Sequence, residues 1–352
     1  MVFLDFISFG TVFSALVTAL LSWVIIATQH LHGVHSHDTD QGPQKFHTVL
    51  TPRIGGVSIF LGLVVALFFL SESASRLLGL MLLAGFFSFA SGLGEDITKR
   101  VSAFKRLFAT VLSGVVAWML TGYTIAHLAI PGIDSFLLFV PLSVAFTAFA
   151  VAGVANAINV IDGFNGLASG ILIISFLSLG LIAYEVGDRT LVELCVTITV
   201  VLSGFMLFNF PFGKLFMGDG GAYLLGFLLG WIAVMLPLRN PAVSPWASLL
   251  ACAYPINETI FTILRRMFRK ESLGLPDSLH LHSLVKIKLV RPYFATLPPA
   301  MRNSAVSPFC WLYAVGVSVA GVALYDHTAL LMAAWAGSFF LYAAIYASLS
   351  AK

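Results

Sequence analysis

Charge is what this sequence has least of. Asp, Glu, Lys and Arg together make up 10 % of its 352 residues, against about 25 % in an average soluble domain. Too few polar groups are present to cover the exterior of a water-soluble protein of this size. A cytosolic enzyme and a disordered chain are thereby excluded. Cysteine is also scarce, with only Cys195, Cys252 and Cys310. They lie in or beside apolar stretches without ligand spacing, so they read as small buried hydrophobes and exclude a disulfide scaffold. What is abundant is apolar surface: hydrophobic residues reach 59 %, Phe alone contributes 31, and mean hydropathy is +0.96. This is the composition of a polytopic membrane protein.

Apolar stretches run at 5–27, 54–71, 77–94, 107–125, 136–155, 166–184, 190–209, 221–238, 244–264, 308–325 and 328–349. Most approach the roughly 20 residues that carry a helix across about 30 Å of hydrocarbon. The pattern predicts an all-α transmembrane bundle of eleven spans, or ten, since only Asp326 and His327 separate the last two. Ten-residue alternating segments, the mark of a transmembrane barrel, do not occur. The first stretch has no basic residues before a long apolar run, so it is expected to be a retained span rather than a signal peptide. No internal repeat suggests an inverted-repeat transporter.

The connections sort by charge. Alternate connections hold 16 of the 19 basic residues, and the other set holds only Arg76, Arg189 and Arg239. The positive-inside rule places the first set in the cytoplasm, the N-terminus outside and the C-terminus inside. Residues 1–352 are expected to form one integral membrane domain whose cytoplasmic loops are 28–53, 95–106, 156–165, 210–220 and 265–307.

Those loops carry the unusual chemistry. Glu95 and Asp96 are adjacent; alone, such a pair reads equally well as a solvated turn. Asn156, Asn159 and Asp162 follow at steps of three on one helix face, and polar groups at the end of an apolar helix are costly unless paired. MGDGG, with Asp219 between glycines, is either a flexible turn or a place where a phosphate or metal ion meets backbone N–H groups. His280 and His282 form an isolated HxH, and Arg265 and Arg266 precede them. His30, His32, His35 and His37 cluster, but no Cys or carboxylate spacing supports zinc. Carboxylates with basic residues and no nucleophile elbow suit phosphate chemistry through Mg²⁺, whose hard oxygen ligands bridge to phosphate oxygens. A membrane enzyme handling a phosphorylated or nucleotide substrate is the expectation from the residues themselves.

Taken together, KFHTVLTPRIGG at 45–56, GEDITKR at 94–100, KRL at 105–107, NAINVIDGFNGLASG at 156–170, FMGDGGAY at 216–223 and HLHS at 280–283 resemble the polyprenyl-phosphate N-acetylhexosamine-1-phosphate transferases. This family includes the phospho-MurNAc-pentapeptide translocase and the enzymes that start O-antigen and related glycans. The NxxNxxDGxxGL pattern from Asn156 to Leu167 is the most specific piece. The resemblance implies transfer of a sugar 1-phosphate from a UDP-N-acetylhexosamine to undecaprenyl phosphate, with release of UMP, in the bacterial inner membrane. It implies Mg²⁺, with Mn²⁺ as an alternative, membrane lipid as a partner, no nucleic acid, and compatibility with a homodimer. By position, it makes Asp96, Asp162 and Glu95 catalytic candidates and Asp219, with Asp162, the metal ligands. Asn156, Asn159, Lys105, Arg106, His280, His282, Arg265, Arg266, Lys45 and His47 become substrate-binding candidates.

Two residues depart from the family pattern. Glu95 stands where Asp is usual, and Ser283 replaces a third histidine in the common HxHH. The second departure argues for a donor such as UDP-GlcNAc or a 6-deoxy relative over the MurNAc-pentapeptide. A transporter or lipid flippase is the rival reading, and Glu258, inside the ninth stretch, is the residue that favours it.

Overall fold

The computed structural model describes residues 3–36, 51–272, 277 and 279–351. These form an all-α bundle. Its long helices are α1 (Phe9–Ala27), a short α2 (Gly55–Ala66), α3 (Glu72–Thr98), α4 (Ala103–Thr121), α5 (Val140–Ile161) and α6 (Leu167–Glu185). Then come α7 (Arg189–Asn209), α8 (Gly218–Arg239), the pair α9 (Pro245–Ala251) and α10 (Ala253–Phe268), α11 (Ser307–Ala323) and α12 (Thr328–Ser350). Among the described residues nine helices are long and apolar enough to cross a membrane, or ten if the bent α9–α10 pair is one span. The chain is a multi-pass membrane protein.

The stretch at 54–71 is shorter as a helix than the apolar run suggested. That stretch is apolar, but its helix α2 has only 12 residues, about 18 Å at the helical rise. The backbone turns at Leu67–Leu70, and the Ser75 hydroxyl donates to the Leu67 carbonyl at 2.7 Å. The last two stretches remain separate helices. The turn between them closes with His327 N–H on the Leu324 carbonyl at 2.8 Å.

The ninth stretch bends by 81° between α9 and α10. Pro255 explains the break: it offers no N–H to the carbonyl four residues back and its ring crowds that carbonyl. The helix restarts at Ala253, so that Pro255 falls in a first turn, where the missing donor costs nothing.

Helix α8 is the axis of the bundle. It packs against α2, α3, α5, α6 and α9, and Tyr223, Leu224, Phe227, Leu228, Trp231 and Ile232 on it are fully buried. With no hydrophobic drive between helices in lipid, small residues at the crossings supply the association through close packing.

At one end of the bundle a polar clasp ties three segments. Asp188 caps α7, accepting from Leu191 N–H at 3.2 Å, and grips Arg239 at the end of α8 through two parallel bonds of 2.7 and 3.0 Å. Asn240 donates to the same carboxylate at 3.1 Å, and Arg239 reaches the Tyr123 hydroxyl at 3.3 Å. Burial pushes Asp188 up, but the bonds from Arg239, Asn240 and Leu191 outweigh it and hold the carboxyl below its ordinary value. The folded pKa lies below the unfolded one, so this clasp stabilises fully above about pH 4 and is lost as acid protonates the carboxylate. Replacing Arg239 by Ala is expected to lower stability by about 3 kcal/mol, because the Asp188 charge is left unpaired. Thermal unfolding of detergent-purified protein at neutral pH checks this.

Candidate active site

The opposite end of the bundle gathers the sequence motifs. Residues 52–56 run beside 216–217: Phe216 N–H donates to the Pro52 carbonyl at 2.9 Å, Gly55 N–H to Phe216 at 3.0 Å and Gly56 N–H to Met217 at 2.8 Å. The approach needs glycine, since a Cβ on Gly56 would lie 2.3 Å from the Gly221 nitrogen. Gly218 has φ +72°, and a Cβ there would meet the Arg53 carbonyl oxygen at 1.9 Å. Conformation and space both exclude a side chain at that position.

Helix α8 starts immediately afterwards, and Asp96 at the end of α3 caps it. Asp219 N–H donates to Asp96 Oδ1 and Gly220 N–H to Oδ2, each at 2.9 Å. Both carboxylate oxygens of this buried residue therefore satisfy the free donors of a helix N-terminus, where negative charge is favoured. Asp219 lies in that first turn and faces three donors. Arg53 Nη2 is 3.1 Å and Asn159 Nδ2 3.0 Å from Oδ1, while Arg106 Nη1 pairs with Oδ2. The Arg106 guanidinium also lies 5.7 Å over the Tyr223 ring, and Tyr223 Oη donates to Asn156 Oδ1 at 3.2 Å. One carboxylate thus collects α5, α4 and the segment before α2.

A second cluster lies on α10 and the turn Leu281–Val285. Glu258 is fully buried, and its Oε1 is 2.9 Å from His280 Nδ1. Its Oε2 accepts from Leu281 N–H at 3.2 Å and lies 3.6 Å from His282 Nδ1. The imidazoles stack at 5.1 Å, and His282 meets the edge of Phe164 at 5.3 Å. Burial holds His282 below the ordinary imidazole range, against the pull of Glu258.

Phe164, in the turn after Asp162, bridges to a lysine. Lys286 Nζ lies 5.7 Å over its ring and 3.3 Å from Asn303 Oδ1. Asn303 in turn donates to Asn165 at 3.1 Å, and Asn165 to the Pro211 carbonyl at 3.1 Å. Gly166 N–H donates to Asn209 at 2.7 Å, completing the link to the loop before α8.

The structure therefore brings together Asp96, Asp219, Asn156, Asn159 and Arg106, with His280 and His282 beyond Phe164. Asp162 caps α5 three residues after Asn159. Glu95, by contrast, accepts from Val101 N–H at 2.7 Å and closes the turn after α3. Adjacent residues on a helix point about 100° apart, so only one of the pair can face α8. Lys105 is exposed near the start of α4. Arg265 and Arg266 direct guanidinium groups to Asp277 and the Ser272 carbonyl, holding the segment after α10. Lys45 and His47 lie outside the described residues. Sequence reasoning missed Arg53, Tyr223 and Lys286 as site residues; for Arg53 the signal was a basic residue directly before paired glycines.

The sequence model for glycosyl transferase family 4 matches residues 78–237, which hold α3 to α8 and both carboxylates of the helix cap. The chain is similar to this family over those residues. Among relatives, it is 26 % identical over 240 residues to a probable undecaprenyl-phosphate N-acetylglucosaminyl 1-phosphate transferase of Bacillus subtilis, covering 68 % of this chain and 66 % of that one. It is 28 % identical over 249 residues to the undecaprenyl-phosphate alpha-N-acetylglucosaminyl 1-phosphate transferase of Yersinia pestis, covering 69 % and 67 %. It is 29 % identical over 237 residues to a phospho-N-acetylmuramoyl-pentapeptide-transferase of Clostridium perfringens, covering 64 % and 74 %. The chain thus spans about two thirds of the length of the first two relatives.

Proposed function

We propose that this chain transfers an N-acetylhexosamine 1-phosphate from a UDP-sugar to undecaprenyl phosphate, releasing UMP and starting a lipid-linked cell-surface glycan. The observation that carries the reading is the convergence of Arg53, Arg106 and Asn159 on Asp219 at the capped start of α8, in a chain that resembles family 4 over residues 78–237. The excess of basic residues in the connections at this end supports a cytoplasmic orientation, with the N-terminus outside.

The donor set is compatible with Mg²⁺. Among the described residues no three His, Cys, Asp or Glu side chains form a metal cluster. Mg²⁺, however, is ordinarily held by one or two carboxylates, waters and substrate phosphates. Asp219, with Asp162 one helical turn beyond Asn159, supplies oxygen ligands of that kind, and Mn²⁺ would accept the same ones. When bound, the ion supplies charge stabilisation for the departing UMP.

The protein's own groups divide the remaining work. Arg53 and Arg106 offer planar forks of donors that match phosphate oxygens, and their pairing with Asp219 keeps them at the site before substrate arrives. Asp96 spends both oxygens on backbone N–H groups, so its role is to hold Asp219 and the helix start in place. The acceptor phosphate, entering from the bilayer, attacks the β-phosphorus of the UDP-sugar. Glu258, the residue that favoured a carrier, faces two histidines, and this supports the enzyme reading instead. Release of UMP from a panel of UDP-sugars with undecaprenyl phosphate and purified protein tests the reaction and finds the donor. Binding of undecaprenyl phosphate without UMP release from any donor would overturn it.

Lys286 gives the reaction a pH signature. Burial, reinforced by Arg291 and Arg302, pushes its amine down to about 8. Affinity for the anionic donor is therefore expected to weaken as pH rises through about 8. The Lys286→Arg protein keeps its charge and is expected to lose that limb. KM for the donor against pH checks this, and an unchanged limb in the variant would remove Lys286 from the site. Stability runs the other way: the unfolded chain keeps this proton until about pH 10.4, so folding is favoured as pH rises between the two values.

A further inference from the structure

Glu258 is a carboxylate with no exposed surface, 0 %, on a helix of the bundle. Such groups are costly in a membrane protein and are kept where they pair or act. Its closest partners lie in the segment after α10. Oε1 faces His280 Nδ1 at 2.9 Å, and Oε2 receives the Leu281 backbone N–H at 3.2 Å, between the two histidines. The Thr262 hydroxyl lies 3.3 Å from both Oε1 and His280 Nδ1, fixing the carboxylate from one turn further along the helix. His280 is extended, with φ −68° and ψ 153°, and His282 opens the turn that follows. The rings therefore share a side and stack with an interplanar angle of 16°.

An ionised carboxylate only accepts hydrogen bonds. The ring nitrogen that faces it must carry the proton, as when a carboxylate orients a histidine from behind. We propose that Glu258 is the positioning residue of this pair: it sets His280 as the Nδ1–H tautomer, with His282 stacked beside it, leaving the His280 Nε2 to accept a hydrogen bond from a hydroxyl or N–H group of the substrate nucleotide. This rests on the function proposed above. The charged and titratable groups around the pair are Glu258 on α10, Asp277 in the segment before it, and Lys286 across Phe164. The Tyr254 and Tyr342 phenols and the Cys310 thiol also lie near the carboxylate.

The test uses the full chain in detergent, labelled with ¹⁵N at histidine, with signals assigned through His280→Gln and His282→Gln. His280 is expected to show the Nδ1–H tautomer, and the UMP probe is expected to shift its Nε2 resonance. Glu258→Gln keeps the side chain's size but can donate to Nδ1. It is expected to populate the opposite tautomer and raise KM for the donor about tenfold, with kcat changed far less. Glu258→Asp is expected to restore the tautomer. A His280 ring with Nε2–H in the unaltered protein, or one that ignores UMP, would overturn the proposal, as would an unchanged tautomer and KM in a folded Glu258→Gln protein. Shifts with UMP but no transfer to lipid would count against the reaction and leave the positioning role standing.

Discussion

Asp219→Asn is expected to reduce sugar-phosphate transfer by about 100-fold or more, the scale of losing a principal electrostatic group. The substitution keeps the shape of the side chain and removes its charge. Two guanidinium groups, from Arg53 and Arg106, then face a neutral amide and each other. The first turn of α8 also loses the negative charge that a helix N-terminus favours. Two measurements separate these effects. UMP release reports turnover, and a Mg²⁺ titration is expected to show weaker metal dependence in the variant. Turnover at the unaltered rate would remove Asp219 from the reaction.

The second large effect is expected at Asp96. In Asp96→Asn one carboxylate oxygen becomes an NH₂ group, so a backbone N–H of Asp219 or Gly220 meets a donor instead of an acceptor. A buried donor without a partner costs about 1–3 kcal/mol. The start of α8 carries Asp219, so its displacement should reach the site. The variant is expected to melt lower and to lose most turnover together. This pairing distinguishes the cap from a general base. Loss of turnover with unchanged melting would return Asp96 to the catalytic role that the family resemblance implied.

The two acidic neighbours show where sequence reading stops. Glu95-Asp96 reads as one unit, and the resemblance made both catalytic. The helix separates them, sending Asp96 under α8 and Glu95 to the Val101 amide. The chain pattern likewise predicted polar groups on one face at Asn156 and Asn159, which the structure joins to Tyr223 and Asp219. The resemblance made Arg265 and Arg266 substrate-binding candidates, and their guanidinium groups hold the chain after α10. Pairing across more than a hundred residues, such as Arg53 with Asp219, leaves no periodic trace. Only the glycines at 55, 56, 218 and 221 mark that two backbones must meet.

The shortage of charge determined by itself that this chain lives in a membrane, because no soluble surface can be built from 10 % charged residues. Hydropathy fixed most helices, and the sorting of basic residues gave the expected sides. Tertiary structure decided the rest. It shortened the second stretch, broke the ninth at Pro255, and chose Asp96 over Glu95. It also set Glu258 behind the histidines. Composition and spacing act along the chain, while these choices depend on which polar groups can satisfy one another once helices pack.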